Sequence, residues 1–76
     1  MTQHELDARG LLCPMPVIKT QNAIQQLTKG DHLRVLATDP GVLHDIPAWC
    51  RVNGHKVISS SEQDDVIEVI IEVCDI

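Results

Sequence analysis

The sequence predicts an α+β fold: a two-layer α/β sandwich of order β-α-β-α-β-β, with a mixed four-stranded sheet and two helices on one face. Three observations carry that prediction. Apolar and polar residues alternate in several short stretches, and two other stretches open with proline-bearing helix-start signals. The chain also has no Phe, no Tyr and a single Trp. Its core must therefore come from Ile, Val and Leu, whose shapes suit a sheet covered by helices. At 76 residues it makes one domain, residues 1–76, with a small core and modest stability.

The first strand is read at His4 to Ala8, where Leu6 and Ala8 face one side and Glu5 and Asp7 the other. Arg9-Gly10 turns the chain, and the first helix begins after Cys13. Pro14 fits the first helical position and Pro16 still lies in the first turn, where a missing N–H leaves no partner unsatisfied. Val17, Gln21, Ile24 and Leu27, with Ile18 beside them, predict the apolar face, while Lys19, Asn22 and Gln26 predict the wet one. Gly30 is placed to end this helix.

Asp31 to Thr38 reads as a more central strand, with Leu33, Val35 and Ala37 on one side. Asp39-Pro40-Gly41 then starts the second helix with Asp39 as its N-cap, and Val42, Ile46, Trp49 and Cys50 line its apolar face. Pro47 implies either a kink or a restart capped by Asp45. Asn53-Gly54 closes that helix. A third strand follows from His55 to Ser60, a polar loop over residues 62–65, and a last strand from Val66 to Val73 in which Ile67, Val69, Ile71 and Val73 alternate with Glu68, Ile70 and Glu72. Strand, helix and strand in succession favour a right-handed crossover with parallel pairing, and the terminal hairpin adds an antiparallel contact.

Cys13 is the residue with chemical promise. A cysteine at a helix N-terminus faces unpaired amides and the positive end of the helix dipole, both of which favour thiolate. The dipole supplies about 0.3–1 kcal/mol, and about 2 in partly buried geometry, and a pKa unit is about 1.4 kcal/mol, so at that upper figure a thiol starting near about 8.5 moves toward about 7. Pro14 and Pro16 donate no hydrogen bond, which leaves Met15 and Val17 as the amide donors near the sulfur. The prolines act through rigidity, holding a pre-ordered nucleophile for a partner. The same features also describe a well-started helix with a merely buried cysteine.

The other polar residues read as structural. Cys50 falls on an apolar face and reads as core, and Cys74 lacks helix or cationic support and reads as a bystander. Three cysteines at 13, 50 and 74 make neither a disulfide framework nor a zinc site. His4, His32, His44 and His55 have no metal-ligand spacing, so no metal is expected. Asp39, Asp45, Asp64 and Asp65 sit at predicted boundaries and read as caps and turns.

Asp7-Ala8-Arg9-Gly10-Leu11-Leu12-Cys13-Pro14-Met15-Pro16, then Ala37-Thr38-Asp39-Pro40-Gly41 and Asp45-Ile46-Pro47-Ala48-Trp49-Cys50, resemble the TusA-like, or SirA-like, sulfur-carrier family. The most specific part is Cys-Pro-x-Pro preceded by Asp-x-x-Gly, and the likeness spans nearly the whole chain. It implies a two-layer α/β sulfurtransferase that acts as a stoichiometric persulfide carrier. Cys13 would accept sulfane sulfur from a cysteine desulfurase or another sulfur-donor protein and deliver it to a downstream acceptor protein. Destinations in the family include tRNA thiolation, molybdenum cofactor assembly and sulfur oxidation. Transfer between thiolates needs no metal and no organic cofactor.

Charge narrows the partners further. A formal net charge of -5 gives no footprint for direct nucleic-acid binding and disfavours an anionic membrane. No apolar run reaches the roughly 18 residues of a spanning helix, and the amino terminus does not read as a signal peptide. A cytoplasmic protein is expected. The alternative function is a non-catalytic regulatory or protein-interaction module that presents a surface without using the thiol.

Overall fold

The structure is a computed structural model that describes residues 3–74. The elements follow the expected order: β1 (Gln3–Ala8), α1 (Met15–Ile24), β2 (His32–Ala37), α2 (Val42–Asn53), β3 (Lys56–Gln63) and β4 (Val66–Glu72). The sheet order is β1-β2-β4-β3; β1 runs parallel to β2, and β4 pairs antiparallel with both β2 and β3. Period-two alternation aligns the buried rows across this sheet. Leu6, Val35 and Val69 lie in one row, and Ala8, Ala37 and Ile67 in the next.

Both helices cover that face. From α2, Val42, Ile46 and Cys50 repeat every four residues and are fully buried, and Ile24 of α1 joins them. The opposite face of the sheet is polar, with Arg34 of β2 ion-paired to Glu5 on one neighbouring strand and Glu68 on the other. A depression of about 340 Å³ on this face is lined by Arg34, Leu36, Ser61, Gln63 and Glu68 among others.

Several boundaries depart from the expectations. α1 ends at Ile24, well before Gly30, because the chain tightens: the N–H groups of Gln26 and Leu27 donate three residues back, to Ala23 and Ile24. Its buried stripe is Pro16, Thr20 and Ile24, whereas Gln21 and Ile18 are exposed. Thr20 is tolerated inside because its hydroxyl donates to the Pro16 carbonyl at 2.8 Å. Gly30 serves the entry to β2, at φ 96° with its N–H on the Val73 carbonyl.

α2 runs unbroken through Pro47, so neither a restart nor an Asp45 cap occurs. It stops at Gly54, left-handed at φ 82°, where the His55 N–H returns to the Cys50 carbonyl. The polar loop expected over residues 62–65 shrinks to two residues. Asp64 and Asp65 both take positive φ, the conformation a two-residue hairpin requires, and Glu62 and Gln63 pair within β3. A register shift between Val57 and Ser59 turns Ile58 outward.

The end of β1 carries an exposed clamp. Asp7 accepts from the backbone and side chain of Arg9, which holds its carboxyl down at about 2. A lowered carboxyl contributes stability that is complete above its unfolded value, near about 4, and is lost as pH falls through the folded one. We therefore expect acid unfolding between about pH 4 and pH 2 to flatten in Asp7→Asn, and the difference to shrink in high salt because the pair is exposed. Urea midpoints across that range measure it.

Candidate functional site

Parallel pairing of β1 and β2 puts the C-terminal ends of both strands side by side, and the loops that leave them lead into α1 and α2. The two loops are tied together. Gly10, turned at φ 81°, donates its N–H to the Thr38 hydroxyl at 2.9 Å, and the Cys13 N–H donates to Asp39 Oδ2 at 2.8 Å. The other Asp39 oxygen accepts from the Gly41 N–H at 3.0 Å, closing a local turn before α2. Asp39 therefore joins the loops and does not cap the helix, whose N-cap is Gly41. Both amide bonds hold its carboxyl below the ordinary value.

A third tie uses the sulfur itself. Cys13 is exposed, and its thiol donates to Asp45 Oδ2, 3.0 Å away in the first turn of α2. That bond, with some desolvation and the charges of Asp45 and Asp39, pushes the Cys13 thiol up. The expected downward shift toward neutrality is thus reversed in the free chain. The helix amides do not rescue it: Pro14 precedes α1 as its N-cap, the Met15 N–H is taken by the Leu12 carbonyl at 2.9 Å, and among the described residues the Val17 N–H makes no hydrogen bond to the sulfur. A protonated thiol beside a carboxylate outweighs a helix N-terminus whose nearest donor is already used.

The other cysteines lie elsewhere. Cys50 is in the core, where burial drives its thiol to about 11. Cys74 is half-buried just after β4, its thiol donating to the Glu72 carbonyl at 3.3 Å and its N–H to His55 Nδ1 at 3.3 Å. His55 also stacks on Trp49, and His4 lies 3.4 Å from Asp31. Among the described residues no group of three or more His, Cys, Asp or Glu side chains is placed to hold a metal ion. None of their helices is long and apolar enough to cross a membrane.

The surroundings of Cys13 are apolar as well as acidic. Leu12, Met15 and Ile18 are exposed along the start of α1, Leu12 by 75 %, and Leu43 is exposed in the first turn of α2. The two partners of Cys13 that sequence reading missed are Asp39 and Asp45, read there as caps. The signal that finds them is topological, since parallel neighbours bring their following loops together. The loop geometry also makes a prediction. A Cβ on Gly10 meets nothing within 4 Å, so Gly10→Ala tests backbone conformation alone; we expect a loss of about 1 kcal/mol in urea unfolding with an unchanged slope.

The family described as Sulfurtransferase TusA matches residues 4–73. A candidate sulfur carrier protein of Neisseria meningitidis serogroup A is 42 % identical over 72 residues, covering 95 % of this chain and 97 % of that one. Another, from Bacillus subtilis, is 39 % identical over 67 residues, 88 % of this chain and 89 % of its own length. The crystal structure of a SirA-like protein from Desulfitobacterium hafniense superposes with a TM-score of 0.83 at 28 % identity, covering 95 % of this chain and 99 % of that one.

Proposed function

The chain belongs to the TusA sulfurtransferase family of sulfur carriers, and on that premise we propose that it holds sulfur as a persulfide on Cys13, taken from a donor protein and passed to an acceptor protein. The observation that carries this reading is the placement of the sulfur: of three thiols, Cys13 alone is exposed, at the meeting of two tied loops. The exposed apolar side chains Leu12, Met15, Ile18 and Leu43 support docking, because a partner that covers them excludes water from the transfer.

The transfer balances without an oxidant. Cys13 thiolate attacks the outer sulfur of the donor's persulfide; a new S–S bond forms, the donor's own S–S bond breaks, and the donor cysteine leaves as a thiolate that takes up the proton Cys13 lost. In the second step an acceptor thiolate attacks the outer sulfur and Cys13 leaves. The sulfane sulfur keeps its oxidation level throughout.

Incubation with a cysteine desulfurase, pyridoxal phosphate and cysteine tests the reading by intact and peptide mass. Gain of one sulfur confined to the Cys13 peptide supports it. No adduct from several desulfurases or from rhodanese-type donors sinks it in favour of an interaction module.

A further inference from the structure

We propose that Asp45 is a positioning residue that latches the Cys13 thiol, and that a cationic side chain of the donor or acceptor protein releases the latch by engaging this carboxylate. The inference rests on the carrier reading and adds to it the chemistry a partner must bring.

The geometry restrains the thiol from two sides. Its sulfur donates to Asp45 Oδ2 at 3.0 Å from α2, while its own N–H is fixed on Asp39 Oδ2 at 2.8 Å from the loop before α2. The sulfur is thereby aimed at a carboxylate and cannot turn away without breaking a tie between the loops. Both charged groups acting on it, Asp45 and Asp39, are acidic. Among the described residues neither Lys19 on α1 nor His44 on α2 hydrogen-bonds the sulfur. At the head of α1 the Met15 N–H is spent on Leu12 and the Ile18 N–H on Pro14 at 3.1 Å, and Pro14 and Pro16 have none.

Asp45 is not placed to ionise the thiol in advance. A free carboxyl and a free thiol in water differ by about 4.6 pKa units, so proton transfer between them is disfavoured by more than about 10⁴-fold. The carboxylate instead stabilises S–H and repels a thiolate formed beside it. Loading is therefore slow in the free chain. Unloading is held as well, because Cys13 must then leave as a thiolate beside the same carboxylate, and a leaving thiol of higher pKa leaves more slowly. The loaded state suffers less, since its charge sits on the outer sulfur, about 2 Å beyond Sγ.

One kind of contact lifts both restraints. A guanidinium or ammonium brought to Asp45 beside the partner's reactive cysteine takes over the carboxylate, and arginine suits it best through two parallel hydrogen bonds. Sulfur then moves faster inside a complex than in the free chain, which slows the reaction of a small exposed thiol with adventitious electrophiles.

The test is the pH dependence of alkylation of Cys13 by iodoacetamide, followed on its peptide by mass, in the wild type, Asp45→Asn and Asp45→Glu. We expect the midpoint in Asp45→Asn to fall by about one unit, with alkylation about tenfold faster at pH values below both midpoints, and Asp45→Glu to restore much of the wild-type profile. An unchanged or raised midpoint in a folded Asp45→Asn overturns the latch; Asp45→Ala gives the same measurement if the first variant does not fold. Alkylation uses no sulfur donor, so a shifted midpoint with no sulfur uptake removes the carrier reading alone, and uptake with an unshifted midpoint removes the latch alone. After loading with inorganic polysulfide, Asp45→Asn should also lose its sulfur to dithiothreitol about tenfold faster than the wild type; equal rates count against the latch.

Discussion

Cys13→Ser is expected to abolish sulfur uptake from a desulfurase and to leave the fold as it is. The two halves of that expectation have separate causes. A serine hydroxyl is not ionised near neutral pH and forms no persulfide, so the loss is complete and not graded. The hydroxyl nevertheless keeps a donor toward Asp45, the backbone N–H to Asp39 is untouched, and the position is exposed. The melting temperature should then change by no more than about 4 °C.

The other thiols cannot substitute. With its value near 11, Cys50 is thiolate in only about one molecule in ten thousand at pH 7, and it is buried where no donor reaches it. Cys74 is half-buried with its S–H on a carbonyl. Cys74→Ser should therefore take up sulfur as the wild type does. An adduct that persists in Cys13→Ser and maps to Cys74 would overturn the assignment.

The sequence was most informative where one periodicity governed a whole element. In β4, Ile67, Val69 and Ile71, followed by Val73 just past its end, alternate without interruption and all are buried, and in α2 Val42, Ile46 and Cys50 keep a four-residue step that burial follows. α1 was harder, since Val17, Ile18, Gln21 and Ile24 allow more than one stripe. Packing chose the one through Pro16 and Thr20, because a threonine can satisfy its hydroxyl on the preceding turn and sit inside. The thiol's environment was legible only in part. Cys13 follows from its motif, but its principal partner lies 32 residues away, and only the parallel pairing of β1 with β2 brings it near. A local rule about helix starts read Asp39 and Asp45 singly, whereas their roles depend on two starts meeting.

The largest stability effect should come from Ile46→Ala. Ile46 is fully buried on the inner face of α2, one residue after Asp45, in the cluster that contains Leu33, Val35 and Ile67. A buried Ile→Ala change costs about 2–5 kcal/mol, counting the lost transfer energy and the cavity left behind. A chain of 76 residues has about 4–11 kcal/mol in all, so the variant loses a large share and sits near its unfolding threshold. Ile46→Val removes one carbon and should cost about 0.5–1.5 kcal/mol, while Val52→Ala, at a position 84 % exposed on the same helix, should cost little. Urea unfolding of the three variants should rank them in that order. Equal midpoints for Ile46→Ala and Val52→Ala would mean that α2 does not seal the core through Ile46. The same series bears on the thiol, because Ile46 fixes how α2 presents the preceding carboxylate to Cys13. In Ile46→Val, folded but looser, the alkylation midpoint of Cys13 should lie between those of the wild type and Asp45→Asn.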